Sequence, residues 1–312
     1  MSVKRTIIRL MGGLGNQMFQ YAAARNFARA TGSSLFIDIS ALRGFSTPRE
    51  YALSQFPLGA SVLDCRILIP TGADFALLYP SWSQNVPFEE GTFVRRIIDG
   101  VARLAAKRIA VYRESSGADM PSDVEDVILV GYWQSPKYFA ASFEQIRREF
   151  DLSSIVADAA NSSWLDRISA SESVAVHVRR GDYLQPEIVA RFGLCSQAYF
   201  EAAMARMRER LDRPRFFVFS DDIEWCQGLL AGPDVEFVTA NPPSAPVSDL
   251  RLIAACRHQI ISNSSFSWWG AWLAARPNIV VAPRPWYSEA MTSPDLPDYW
   301  CVLDRETGAG TV

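Results

Sequence analysis

The chain has 312 residues, of which 49% are hydrophobic and 21% charged, with 31 Lys and Arg against 34 Asp and Glu for a formal net charge of −3. That balance excludes the basic footprint of a nucleic-acid binder and the composition of a disordered or fibrous chain, and any anion must be recognised locally. The length predicts two cores of roughly 100 to 200 residues each.

Cys65, Cys195, Cys226, Cys256 and Cys301 are scattered and never spaced as CxxC. This suits free thiols in a reducing cytoplasm better than a disulfide frame or a zinc site. No apolar run reaches the ~18 residues of a spanning helix, and "MSVKRTIIRLMGG" is too short for a signal peptide, so a cytoplasmic protein is expected.

In chain order, "TIIRLMG" reads as a strand running into "GLGN". A helix follows over "NQMFQYAAARNFARATG", with Phe19, Ala22, Ala23, Phe27 and Ala30 at helical spacing and Gly32 as terminator. "SLFIDIS" is the second strand, and a strand-loop-helix-strand start predicts a parallel sheet layered with helices. Residues 41–91, rich in Pro, Gly and isolated aromatics, give no clear pattern. Residues 92–113 read as a basic amphipathic helix, which suits either an ordinary solvated face or an anionic membrane surface. "DVILVGYW" reads as a strand, and "SPKYFAASFEQIRREF" as a helix capped by Ser135 with Pro136 in its first turn.

Beyond residue 165 strands and helices alternate: "SVAVHV", "SQAYFEAAMARMRERLD", "RFFVFS", "IEWCQGLL", "VEFVTA", "DLRLIAACRH", "QIISNSS", "FSWWGAWLAARP" and "NIVVAPRPWY". This rhythm predicts a second doubly wound unit, joined to the first near residues 150–170 with a cleft between them. Ligands in such sheets bind beyond the carboxyl ends of the strands, so the residues just after each strand are the informative ones.

Four strand ends carry polar chemistry. "GGLGNQ", with Gly13, Gly15, Asn16 and Gln17, allows backbone N–H groups to approach an anion at a helix N-terminus, although a tight turn explains it equally. It is not G-x-G-x-x-G, and Asp38 is the one acid at the distance of a ribose ligand. "HVRRGDY" places Arg179 and Arg180 side by side at a strand end, where planar, always charged guanidinium groups suit phosphate or carboxylate. Asp182 could instead neutralise one of them. His177, two residues before Arg179, faces the same side of the strand. In "FSDDIEW" the acids are adjacent, not spaced as a metal motif, and Asp221 with Glu224 fits a helix cap. Asp249 in "SDLRLIAACRH" is either a helix N-terminal residue or the group that accepts both N–H donors of guanine. "ISNSSFSWWGAWL" sets Asn263, Ser264, Ser265 and Ser267 at a strand-to-helix turn suited to phosphate, while Trp268, Trp269 and Trp272 have the spacing of core residues.

Taken together, "GGLGNQMFQYA", "GYWQSPKYF", "HVRRGDY", "FSDDIEW" and "SNSSFSWWGAWL", in this order over nearly the whole chain, resemble the α-1,2-fucosyltransferases of glycosyltransferase family 11. The resemblance implies an α/β, GT-B-like fold of two Rossmann-like doubly wound parallel-sheet domains facing a cleft, residues 1–155 on the acceptor side and 156–312 binding the nucleotide sugar. It implies inverting transfer without a metal or other cofactor, from GDP-L-fucose to the 2-hydroxyl of a terminal galactoside on an oligosaccharide or lipid-linked glycan.

By the same resemblance, Arg179 contacts the donor β-phosphate with Arg180 close by, and His177 meets the nucleoside. Ser265, Phe266 and Ser267 hold the pyrophosphate and flank the base, Asn16 of the glycine loop reaches the fucose and diphosphate, and Asp249 matches the guanine-binding acid. Asp182 is an orienter first and a base second, and Trp133 stands where phenylalanine is more usual. Three alternatives stay open: a nicotinamide-dependent dehydrogenase, a glycan-binding protein without turnover, and transfer of another GDP-sugar or in another linkage. The basic segment 92–113 suggests peripheral contact with the inner face of the cytoplasmic membrane.

Overall fold

The computed structural model describes residues 3–43, 49–63, 109–114, 126–275, 278–287 and 295–310. The chain divides into two compact units, one comprising Met1–Leu53, Leu58–Trp133 and Tyr138–Ile146, the other Ser54–Pro57, Gln134–Lys137 and Arg147–Val312.

The first unit holds a five-stranded parallel sheet of β1 (Arg5–Arg9), β2 (Ser34–Asp38), β3 (Ser61–Leu63), β4 (Ile109–Arg113) and β5 (Asp126–Val130), in the order β3-β2-β1-β5-β4. Strand β1 is central, with Ile7 opposite Phe36 on one side and Ile128 on the other. The crossover from β1 to β2 is α1 (Leu14–Thr31), and its run Tyr21–Ala24 is buried, small residues at three of the four positions allowing close packing. It ends where Gly32 turns to φ 65°, a left-handed value that a side chain resists. The N–H groups of Gly32 and Ser33 there donate to the carbonyls of Arg29 and Ala28.

The segment read as a helix over 92–113 is corrected at its end. Ile109–Arg113 is strand β4, in register with β5 from Ile109↔Asp126 to Arg113↔Val130, as its β-branched and aromatic residues favour. The remainder of that segment lies outside the described residues. The helix read over 135–150 is also corrected. It is two 3₁₀ turns, Pro136–Tyr138 and Ala140–Ser142, followed by α2 (Phe143–Glu149), because Phe139 at φ −137° interrupts the helical path.

The second unit holds β6 (Ser173–Val178), β7 (Arg215–Ser220), β8 (Val235–Phe237), β9 (His258–Ile260), β10 (Val280–Arg284) and β11 (Cys301–Asp304), all parallel in the order β11-β10-β9-β6-β7-β8. Counted within the unit this is 3-2-1-4-5-6, the doubly wound dinucleotide-fold order, whose direction reverses between β6 and β9. Helices α3 (Ala159–Ser169), α4 (Pro186–Phe192), α5 (Gln197–Arg210), α6 (Ile223–Leu229), α7 (Pro246–Ala255) and α8 (Ser265–Leu273) accompany it.

Alternate residues of the strands serve two cores. Val174, Val176, Val178, Phe216 and Val218 pack with Tyr199, Phe200, Met204 and Met207 of α5. Ala175, Phe217 and Phe219 pack with Ile168 of α3 and Leu252 and Ile253 of α7. A parallel sheet covered on both faces needs such continuous apolar runs. Trp268, Trp269 and Trp272 are fully buried core residues. Among the described residues, no helix is long and apolar enough to cross a membrane.

Candidate active site

In the second unit the reversal of strand order brings the ends of β6 and β9 together, and a single hydroxyl joins them. Ser262 Oγ donates to the carbonyl of His177 at 2.7 Å and accepts the backbone N–H of Arg179 at 3.0 Å. Sequence reasoning missed Ser262 as one more serine in a serine-rich turn.

The guanidinium groups of the two arginines after β6 pair with different carboxylates. Arg179 Nη1 lies 2.7 Å from Asp221 Oδ2, and its guanidinium carbon lies 5.6 Å from the Tyr183 ring centroid. Arg180 Nε donates to Asp222 Oδ2 at 3.0 Å, with its guanidinium 4.1 Å above the Trp225 ring. Asp221 Oδ1 also accepts the backbone N–H of Arg180 at 2.8 Å. The acid pair at the end of β7 thus offsets the arginine pair at the end of β6, one to one. Gly181 makes room for this, since a Cβ there would overlap the Asp221 carboxylate. The reading of Asp221 as a helix cap is corrected: Asp222 is the N-cap of α6, accepting from Trp225 N, because Asp221 is held by the arginine loop. Asp182 lies in a 3₁₀ turn, Gly181–Leu184, and its side chain is outside what the structure describes.

His177 is 7% exposed, packs against Phe266 at 5.3 Å between ring centroids, and leaves Nδ1 buried without a hydrogen-bond partner. Burial, and secondarily the charge of Arg179, push its pKa down to about 3, so the ring is neutral at physiological pH. It is a neutral hydrogen-bonding group there, not a cation.

The turn from β9 into α8 divides into structural and accessible parts. Asn263 Nδ2 donates to the carbonyls of Phe192, Gly193 and Trp286, and Ser267, fully buried, turns its hydroxyl to the carbonyls of Ser262 and Ser264. These two fix the turn. Ser264 is the N-cap of α8 without a side-chain cap bond, and Ser265 and Phe266, both half-buried, open the helix. The first-turn amides, which a helix cannot satisfy internally, are therefore set at the carboxyl edge of the sheet. Asp249 stands at the same edge in the first turn of α7, its pKa raised by burial and opposed by a hydrogen bond from Asn241.

In the first unit the glycine loop lies at the carboxyl end of β1. Gly12 has φ 76°, and a Cβ there would lie 2.5 Å from Asn16 Nδ2. Gly13 is different, since a Cβ on it would meet nothing within 4 Å among the described residues. Gln17 is a strut: its amide donates to the carbonyls of Gly12 and Glu50 and accepts from Ala52 N. Gly15 is buried beside it. Asp38 is fully buried, paired with Arg9 at 3.1 Å and bonded to Ser40 N, which leaves it no ribose to hold. Glu114, just after β4, accepts at Oε2 the N–H groups of Tyr132 and Trp133 beyond the end of β5, and Trp133 takes φ 55°. Among the described residues no group of three or more His, Cys, Asp or Glu side chains is placed to hold a metal ion.

Compared with known proteins, residues 103–299 match the model of the family described as Glycosyl transferase family 11. The chain belongs to that family. This family 11 glycosyltransferase is 32% identical over 312 residues to an alpha-1,2-colitosyltransferase of Escherichia coli, covering 96% of this chain and 99% of that one. It is 29% identical over 281 residues to galactoside alpha-(1,2)-fucosyltransferase 1 of Saimiri sciureus, covering 87% of this chain and 66% of the relative. Among solved structures, an Arabidopsis thaliana FUT1 mutant in complex with GDP superposes with a TM-score of 0.52 at 13% identity, over 92% of this chain and 72% of that one. At that identity the likeness is one of fold, and the enzyme's two doubly wound parallel sheets are GT-B-like.

Proposed function

We propose that this glycosyltransferase moves L-fucose from GDP-L-fucose to the 2-hydroxyl of a terminal galactoside, with inversion and without a metal. The observation that carries the reading is the placement of Arg179. Its main chain is tied to the β9–α8 turn through Ser262, and its guanidinium is held by Asp221. The donor is taken to lie at that edge, with its β-phosphate between Arg179 and the first-turn amides of α8.

In the reaction the bond from C1 to the β-phosphate oxygen breaks with its electron pair going to phosphate, while the acceptor oxygen bonds C1 from the opposite face. The sugar passes through an oxocarbenium-like state, as in glycoside hydrolysis. Charge grows on the phosphate as it leaves, and an arginine with helix-terminal N–H groups stabilises it where the charge develops. The acceptor hydroxyl gives up its proton as it bonds; Asp182 is proposed as an orienter of the arginine loop first and as the base that takes this proton second. The acceptor is a galactose-terminated oligosaccharide or lipid-linked glycan.

Arg179→Ala should lower kcat about a hundredfold or more, corresponding to roughly 2.7 to 4 kcal/mol for a lost transition-state donor. Turnover is read as GDP released from GDP-fucose with lactose as acceptor and EDTA present, and linkage is read by NMR. Near-normal turnover of the variant would sink the assignment of Arg179, and absence of wild-type GDP release from GDP-fucose and from GDP-colitose alike would favour a glycan-binding protein. A second reading is favoured by the colitosyltransferase relative. A colitosyl group is a fucosyl group without its 3-hydroxyl, so the donor would be GDP-colitose. A site that hydrogen-bonds the 3-hydroxyl rejects the deoxy sugar strongly, whereas a site without that contact accepts it. Competing the two donors decides between them.

A further inference from the structure

Asp249 does not stand alone at the edge of the second sheet. Its Oδ1 accepts from Asn241 Nδ2 at 2.8 Å. Asn241 lies in the loop after β8, and Asn161 in the first turn of α3. Asn241 Nδ2 also donates to Asn161 Oδ1 at 3.0 Å, and Asn161 Nδ2 returns a bond to Asn241 Oδ1 at 2.7 Å. The second N–H of Asn161 goes to Asp158 Oδ1 at 3.0 Å, and the Asn161 backbone N–H reaches the same oxygen at 2.8 Å.

Each primary amide has two hydrogens, and here all four are used. The pair cannot be flipped. Turning Asn241 over would set its oxygen against the Asp249 carboxylate and break the reciprocal bonds, and Asn161 is only 4% exposed and anchored by the cap of α3. Asn241 thus transmits a fixed geometry from α3 to one oxygen of Asp249.

The other oxygen, Oδ2, has no hydrogen-bond partner among the described residues. The carboxylate is half-buried, with one oxygen held by Asn241 and the other left open to a ligand, and burial raises its pKa. What would complete it is a planar group with two parallel N–H donors. The Watson–Crick edge of guanine offers N1–H and N2–H in that arrangement, whereas adenine turns an unprotonated N1 toward the same oxygen. Ala240, adjacent to Asn241, and Phe266, adjacent to His177, pack against the same apolar cluster as Leu252 and Ile253 of α7. The carboxylate and the aromatic pair therefore border one region.

We propose that Asn241, locked by Asn161, is a positioning residue that fixes the Asp249 carboxylate for the N1–H and N2–H edge of guanine and so sets the nucleobase selectivity of the donor site. The inference rests on the reading of the donor as a GDP-sugar.

The test is calorimetric binding of GDP, IDP and ADP to the full chain. IDP lacks the 2-amino group and so reports one of the two contacts. Wild type should prefer GDP over IDP, and Asn241→Ala should reduce that preference by at least about fivefold, the lower end of what a two-point base contact confers. IDP affinity should change much less. A merely structural role for Asn241 would weaken GDP and IDP together and leave their ratio intact, and that result overturns the proposal. If Asn241→Ala does not fold, Asn161→Ala, which frees Asn241 to turn, carries the same expectation and the same refutation. Failure of wild type to bind GDP at all would instead remove the donor reading on which the proposal stands.

Discussion

Lowering the pH from 8 to 5.5 should destabilise the second unit by about 1.4 kcal/mol through His177 alone. In the fold its imidazole is 7% exposed and its pKa is held at about 3 by burial and by Arg179. In the unfolded chain it reverts to the ordinary value of about 6.5. The folded pKa is depressed, so below pH 6.5 the unfolded chain binds a proton that the folded chain refuses. Stability is complete above that value and is lost as pH falls, down to the folded pKa. One pH unit below 6.5 the loss is RT ln 11, about 1.4 kcal/mol, and at pH 4.5 it is about 2.7 kcal/mol.

The perturbation that isolates it is His177→Leu, which removes the titration and keeps an apolar body of similar size. Urea unfolding of both proteins at the two pH values, followed by emission of the buried Trp268, Trp269 and Trp272 in that unit, gives four stabilities. The difference of differences cancels the intrinsic cost of the substitution and the pH response of other groups. Equal pH slopes for the two proteins would refute the reasoning, because they would mean that the buried imidazole accepts a proton as readily as a free one.

Gly181→Ala should lower kcat about tenfold or more, since its methyl displaces the Asp221 carboxylate and costs Arg179 one charge-assisted hydrogen bond. Steady-state GDP release measures it, and wild-type turnover would show that Asp221 does not hold the arginine in its working position. Burial pushes the Cys195 thiol up to about 12 and Cys226 up to about 11, and raises Cys256 further, while Cys301 is partly exposed. Iodoacetamide at pH 8 should therefore label Cys301 in the native enzyme and reach Cys195, Cys226 and Cys256 only on unfolding, as read by peptide mass spectrometry. Native labelling of Cys195 at the rate of Cys301 would contradict the buried, protonated assignment.

The second sheet was largely legible in the sequence because strands covered on both faces must be apolar throughout, and "SVAVHV" and "RFFVFS" coincide with β6 and β7. The missed helix α4 carried a readable signal, Pro186 at its first position and Gly193 at φ 68° after its last, but its seven residues are too few for a repeating apolar stripe. Strand β4 was taken for the end of a helix because a short apolar run fits either period.

At the site, charge after an apolar strand marked Arg179 and Arg180. Their partners were not legible, because only strand register brings the end of β7 beside the end of β6, and Asp221 lies forty-one residues from Arg180. Asn161 and Asn241 are eighty residues apart, and no local pattern links two asparagines over that distance.

The bridge made by Ser262 has a consequence for how tightly a ligand can be held. Because one hydroxyl ties the His177 carbonyl and the Arg179 amide to the loop that begins α8, the two strand ends behave as a single rigid clasp. Their mutual alignment is settled when the chain folds. Were the proposed diphosphate to enter there, it would meet groups whose freedom has already been surrendered, so little of the attraction would be spent on ordering them, and discrimination between diphosphate ligands would be left to the side chains at the rim.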